Sequence, residues 1–195
     1  MLTASSQAMT QFIFQNSFVF MFLLIAEFGM VIAFSVSLRK GASASALLTM
    51  FLTYSALNGL TLASIFLVYT FASIAQTFFI AAGMFGGMSL YGYVTKRDLT
   101  GAGHFAIMGL WGLILASIVN IFWHNSTFGW GISLIGVGVF VILTAYDTQK
   151  LKAYYYAEQA NAENLKRISL GGALTLYLDF INLFLFLLRF LGRRR

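Results

Sequence analysis

Residues 41–95 contain no Asp, Glu, Lys or Arg over 55 positions, and residues 99–146 repeat this over 48. Soluble domains carry ~25% charged residues, whereas this chain carries 9%, with a mean hydropathy of +0.83. A water-facing surface cannot be assembled from such runs. In lipid every backbone N–H and C=O must find a partner inside the protein, which leaves helices or closed barrels. The runs are rich in Leu, Phe, Ala and Ile without strict alternation, so helices are expected. The fold class that follows is an all-α, polytopic membrane bundle.

A crossing needs ~20 residues, which divides the chain into six spans, at about 17–38, 44–68, 73–95, 103–123, 128–148 and 168–190. Together they form a single membrane domain over 1–195. Residues 1–16 are too short and polar to add a span. Arg39-Lys40, Lys96-Arg97-Asp98 and His124-Asn125-Ser126-Thr127 punctuate the runs, and a turn is expected near 69–73. Trp111, Trp123 and Trp130 suit interfacial anchoring. Residues 149–167 read as a partly helical polar loop. Small residues recur at Ser55, Gly59 and Ala63, and Gly83 with Gly87 forms a GxxxG; both rows predict close helix packing. Placing the basic clusters at 39–40, 96–97 and 150–167 on one side makes that side cytoplasmic. Arg189 and the terminal arginines then fall outside, unless the last helix is re-entrant; dominance of the earlier loops is the preferred reading.

The same composition excludes several chemistries. Without cysteine there is no disulfide or thiolate site, and His104 and His124 alone cannot supply a histidine-rich zinc or haem centre. No cofactor is called for. The net charge of +6 lies in clusters flanking apolar runs, where it marks topology and anionic headgroup contact, not nucleic acid. The N-terminus lacks the basic n-region of a cleavable signal peptide.

Against this apolar background the carboxylates stand out. Asp179 lies near the centre of the last span, where a charge costs ~2.5–3.5 kcal/mol on insertion scales, and such a residue is by default a functional-site candidate. Gly172, Thr175, Asp179 and Asn182, spaced 3, 4 and 3, share one helix face. Thr175 and Asn182 therefore form a supporting polar stripe. Asp147 lies about a turn from the end of its own span, either paired with Lys150 at i+3 or facing the bundle. Should Asp147 and Asp179 meet, they share a proton and titrate as a pair. Fully ionised, they offer hard oxygen ligands for a transient Ca²⁺. Protons and cations then compete for one site. Glu27 either lines the same pathway nearer its other end or is hydrogen-bonded to Asn58, Gln76 or Asn120. Arg39 is a topology anchor or a latch on Asp147.

Three segments resemble a known family: YDTQKLK at 146–152, LTLYLDFINLFLFLLRF at 174–190 and SLYGYVTKRDL at 89–99. Together they are similar to the Bax inhibitor family, the transmembrane Bax inhibitor motif proteins, and most of all to its bacterial members. The resemblance implies a seven-helix fold whose last helix is surrounded by the other six. It also implies a pH-sensitive Ca²⁺ leak governed by aspartates matching Asp147 and Asp179, a membrane glutamate matching Glu27 and a basic latch near Arg39. Against that pattern the chain has six spans, so the family's first helix is expected to be missing, with residues 1–16 its tail. Restoring it would place the native N-terminus in the cytoplasm. A bacterial inner membrane location follows from the same resemblance.

Two functions therefore compete. One is a pH-sensitive cation leak channel, with Ca²⁺ and protons as its partners beside the lipid bilayer. The other is a regulatory protein that binds another membrane protein, such as a quality-control protease or a stress or cell-death factor. No enzyme is expected. An intramembrane aspartyl protease would also use two aspartates, but the second aspartate here has no adjacent glycine to open its backbone to substrate. A transporter would show internal repeats, and none is evident.

Overall fold

The computed structural model of the chain describes residues 17–158 and 161–194. Residues 1–16, expected to hold the tail of a first helix, lie outside them. The described helices are α1 (Ser17–Arg39), α2 (Ala44–Leu62), the short α3 (Ile65–Val68), α4 (Phe71–Val94), α5 (Thr100–Trp123), α6 (Ser126–Ala157) and α7 (Ala162–Leu191). Six segments, with α2 and α3 counted together, are long and apolar enough to cross a membrane. The protein is an all-α polytopic membrane bundle.

Local chemistry sets the helix starts. Ser43, Thr70, Asn125 and Asn161 each accept a hydrogen bond from a first-turn N–H of α2, α4, α6 and α7, which satisfies donors that have no helical partner. Between α4 and α5, the hydroxyl and N–H of Thr100 hold the Asp98 carboxyl below its ordinary range. Gly41, at φ +83°, makes the turn from α1 to α2, a backbone region that glycine enters freely.

Two expectations about the spans change. The second span is not one helix: α2 stops at Leu62, and the Ala63 and Ser64 amides tighten onto Leu60 and Thr61 carbonyls three residues back. More consequentially, the helical share of residues 149–167 is larger than a partly helical loop. α6 continues to Ala157 and α7 starts at Ala162, so the polar segment is mostly helix. At ~1.5 Å per residue α6 and α7 are about 48 and 45 Å long, well beyond the ~30 Å hydrocarbon layer. Gln, Lys, Glu and Ala are good helix formers, and past the lipid their side chains are free to meet water. α7 is also unbroken from Ala162 to Leu191, which removes the re-entrant alternative. Contacts of Arg167 with Leu38 and of Glu163 with Ala44 set one end of the bundle, and contacts of Arg193 with Thr70 and Ser73 set the other.

α7 packs against α1, α2, α4 and α6, while α5 packs mainly on α6. The last helix is thus central, but it shares the centre. Half of the most apolar stretch of α6 is buried and a third of that of α7, against 11% for α1 and α5. Two cores lie on α7. Leu174, with Tyr177 and Leu178 beside it, meets Phe34 of α1 and Leu47 and Tyr54 of α2. Leu183, Phe184, Leu187 and Leu188 meet Ile74, Ala106, Ile132, Phe140 and Leu143 from α4, α5 and α6. Because lipid tails are as apolar as these side chains, close packing rather than exclusion from water holds them together.

The glycine rows read as packing faces do not make the close approaches. A Cβ added at Gly59, Gly83 or Gly87 meets nothing within 4 Å; only Ala63 of those residues is buried. The close approaches lie elsewhere: a Cβ at Gly92 would run into the backbone carbonyl of Ala145, and one at Gly136 into the Phe186 ring. Gly92→Ala should therefore cost about 1–3 kcal/mol through forced separation of α4 and α6. At about 2–4 °C per kcal/mol, the thermal midpoint of the detergent-solubilised protein should fall measurably, while Gly87→Ala leaves it unchanged or raises it.

Candidate functional site

Asp147 comes from the C-terminal third of α6, the helix most closely packed on α7, and Asp179 from the middle of α7. Packing of these two helices brings the carboxyls into side-chain hydrogen-bonding range of each other. Asp179 is 4% exposed, and its Oδ2 receives no hydrogen bond from an N–H or O–H donor among the described residues. Lone buried acceptors are uncommon; a proton held between the two carboxyls would supply this one with its donor. Lys150 is not an ion-pair partner of Asp147 here. Its Nζ lies 5.7 and 5.8 Å from the ring centres of Tyr146 and Tyr154.

A cavity of about 450 Å³ reaches Asp147 from the Arg39 end, walled by Leu38, Leu151, Gly172 and Thr175. Leu151 packs where any side chain at Gly172 would stand, so that glycine on the polar stripe admits the neighbouring helix. Thr175 lines the cavity and donates its hydroxyl to the Gly171 carbonyl. Asn182 turns back to the Leu178 carbonyl at 2.8 Å and serves its own helix. Beyond Asp179 the seam between the helices is filled by Val139, Phe140, Leu143, Leu183 and Phe184, all buried. A second cavity of about 780 Å³ opens at the Arg193 end, lined by Asn120, His124, Arg189 and Arg194 among others. The described residues hold no group of three or more His, Cys, Asp or Glu arranged for a metal. Two carboxylates fall short of the six to eight oxygens of a resident Ca²⁺ site, so only transient coordination suits them.

Glu27 is elsewhere. Its carboxylate accepts from Asn58 Nδ2 at 3.1 Å and from the Thr61 hydroxyl. Asn58, 7% exposed, accepts in turn from the Tyr177 hydroxyl at 2.9 Å. Tyr177 and Asp179 are two residues apart, so they leave α7 on nearly opposite sides. With Leu38 joined to Arg167, Glu27 and Asp179 lie about 16 and 18 Å below that contact by helix rise. Glu27 is therefore level with the aspartates and in a separate network, not nearer the far end of one pathway. A Tyr in mid-span rather than at the interface, and the i, i+3 pair Asn58 and Thr61, were the available signals for this network.

Arg39 lines the same cavity as Asp147 but is exposed and ion-paired to nothing among the described residues. Among the cations lining this cavity, Arg167, expected only as a topology charge, is the one that makes hydrogen bonds among the described residues. Its guanidinium donates to the Leu38 carbonyl at 2.9 Å and to Asn164 Oδ1 at 3.2 Å. In the Glu27 network, Tyr177→Phe removes one hydrogen bond and should cost about 0.5–1.5 kcal/mol, whereas Asn58→Leu strips partners from both neighbours and should cost about 1–3. Unfolding in a detergent titration should show that order.

The whole sequence, residues 1–195, matches the family model described as "Inhibitor of apoptosis-promoting Bax1". It is 52% identical over 193 residues to the inner membrane protein YbhL of Escherichia coli (strain K12), a match covering 98% of this chain and 82% of that protein. It is 50% identical over 193 residues to an uncharacterized protein of Borreliella burgdorferi, covering 99% and 83%. The chain belongs to the Bax inhibitor family, as a multi-pass protein of the bacterial inner membrane.

Proposed function

We propose that the protein is a pH-sensitive cation leak channel, with Ca²⁺ the favoured ion, and not an enzyme. The observation that carries this reading is the meeting of Asp147 and Asp179 at the end of a cavity open toward the Arg39 end. Two carboxylates in apolar surroundings repel, so a proton between them closes the pair into one hydrogen-bonded unit. Loss of that proton leaves two anionic oxygens pairs facing each other, a hard site for a divalent cation. Acid therefore opposes conduction and alkali favours it. By the charge bias of the basic clusters, the cavity faces the cytoplasm.

In the present arrangement the apolar side chains beyond Asp179 bar the way to the second cavity. Conduction needs α6 and α7 to part there, and electrostatic repulsion within the ionised pair acts in that direction. Glu27 stays outside this route, tying α1 and α2 to α7. A latch by Arg39 requires its side chain to move, since it is unpaired here.

The test is Ca²⁺ efflux from proteoliposomes between about pH 6 and pH 8, a range in which such pairs are tuned. Wild type should leak more as pH rises. Asp179→Asn and Asp147→Asn should each flatten that dependence and reduce the leak at the alkaline end about tenfold or more, given the loss of an ionised ligand. Unchanged flux and pH response in both variants would sink the di-aspartate mechanism and favour a protein that acts by binding a membrane partner.

A further inference from the structure

The mouth of the Asp147 cavity carries more basic than acidic side chains. Arg39, Lys150 and Arg167 line it, against Glu158 and Asp147. Glu158 is engaged by Asn164 Nδ2 at 3.1 Å, and Asp147 belongs to the pair below. No ion pair joins any of the three cations to either carboxylate among the described residues. Arg167 is fixed by its two Nη bonds to Leu38 and Asn164, yet its Nε is buried and has no acceptor. A buried guanidinium N–H without an acceptor is uncommon and calls for one.

We propose that this mouth is a binding site for a phosphate group, taken by Arg167 and closed over by Arg39 and Lys150. The chemistry fits in kind. A guanidinium already oriented by the fold loses little freedom on accepting a phosphate oxygen, and two mobile cations supply charge-assisted bonds. The hydroxyl of Tyr154, on the same wall, adds a neutral donor. A volume of about 450 Å³ lies in the usual range for small-ligand pockets. The phosphate has two possible sources, an anionic phospholipid headgroup reached from the surrounding leaflet and a phosphate dissolved in water. Either would cancel the positive charge above the aspartates, and either would occupy Arg39 and keep it from Asp147.

The test reads binding, not conduction, so it stands or falls separately from the channel reading. The full chain is placed in phosphatidylcholine nanodiscs. In one arm inorganic phosphate is titrated at constant ionic strength, and in the other phosphatidylglycerol replaces part of the phosphatidylcholine. The thermal midpoint and the ³¹P linewidth are followed. Stabilisation and broadening in the lipid arm identify a headgroup, in the phosphate arm a soluble phosphate, and both support the site. Arg39→Gln/Lys150→Gln, which removes two exposed side chains without touching a hydrogen bond, should weaken the response about tenfold or more. Its midpoint without probe verifies folding, and Lys150→Gln alone serves if the pair variant is unstable. Lys166→Gln, on the same helix but outside the cavity, should respond as wild type. No response in either arm, or an equal response in the cavity variants and wild type, would overturn the proposal.

Discussion

The structure depends on the seam between α6 and α7. These two helices are the longest and most buried, and every other spanning helix packs on one or both of them. Apolar side chains fill most of the seam, and where Asp147 and Asp179 interrupt them the packing cannot be indifferent to charge. On the proposed reading, a pair holding one proton between its carboxyls lets the helices close, whereas a fully ionised pair sets like charges side by side in low dielectric, where repulsion is large. One contact thus links helix packing to the protonation of the cavity end. On the proposed reading that linkage lets a small polar interruption in an apolar seam act as a switch, whereas an isolated aspartate would only weaken the bundle.

Polar chemistry within the membrane is divided between the two faces of α7. On one face are the aspartates and their cavity. On the other, Glu27, Asn58, Thr61 and Tyr177 satisfy one another across three helices, beneath the aromatic contacts of Tyr177 with Phe51 and Tyr54. The first network has an unfilled acceptor at its centre; in the second every acceptor named has a donor. On the proposed reading the unfilled acceptor takes an exchangeable proton, while the filled network braces the helices. On that reading two intramembrane acids at one depth, Asp179 buried and Glu27 half-buried, have different work to do.

The Arg39 end is also more than a topology signal. Extension of α6 and α7 past the hydrocarbon layer brings Lys150, Tyr154, Glu158, Asn164 and Arg167 around the entrance to the aspartates. Charges that the positive-inside bias alone would place at this end of the bundle become, through that extension, the wall of a cavity. Orientation and ligand chemistry are served by the same residues.

From the sequence alone came the membrane class, the six crossings, the three carboxylates and the family, because all rest on one-dimensional quantities: length of uncharged runs, cost of a buried charge and motif order. Asp147 and Asp179 could be suspected as partners, but whether they meet depends on how α6 and α7 pack. The same holds for the faces: Gly59, Gly83 and Gly87 have the spacing of a packing row, yet the close contacts are Gly92 with the Ala145 backbone and Gly136 with the Phe186 ring, since close approach depends on which neighbour lies opposite. Polarity misled at 149–167, where helix propensity persisted beyond the lipid. Glu27 could be named as an intramembrane acid, but only the register of α1 and α2 on α7, set through Leu38 with Arg167 and Ala44 with Glu163, separated it from the aspartates. The mouth lined by Arg39, Lys150 and Arg167 joins residues from three helices, and only the tertiary structure could bring them to one cavity.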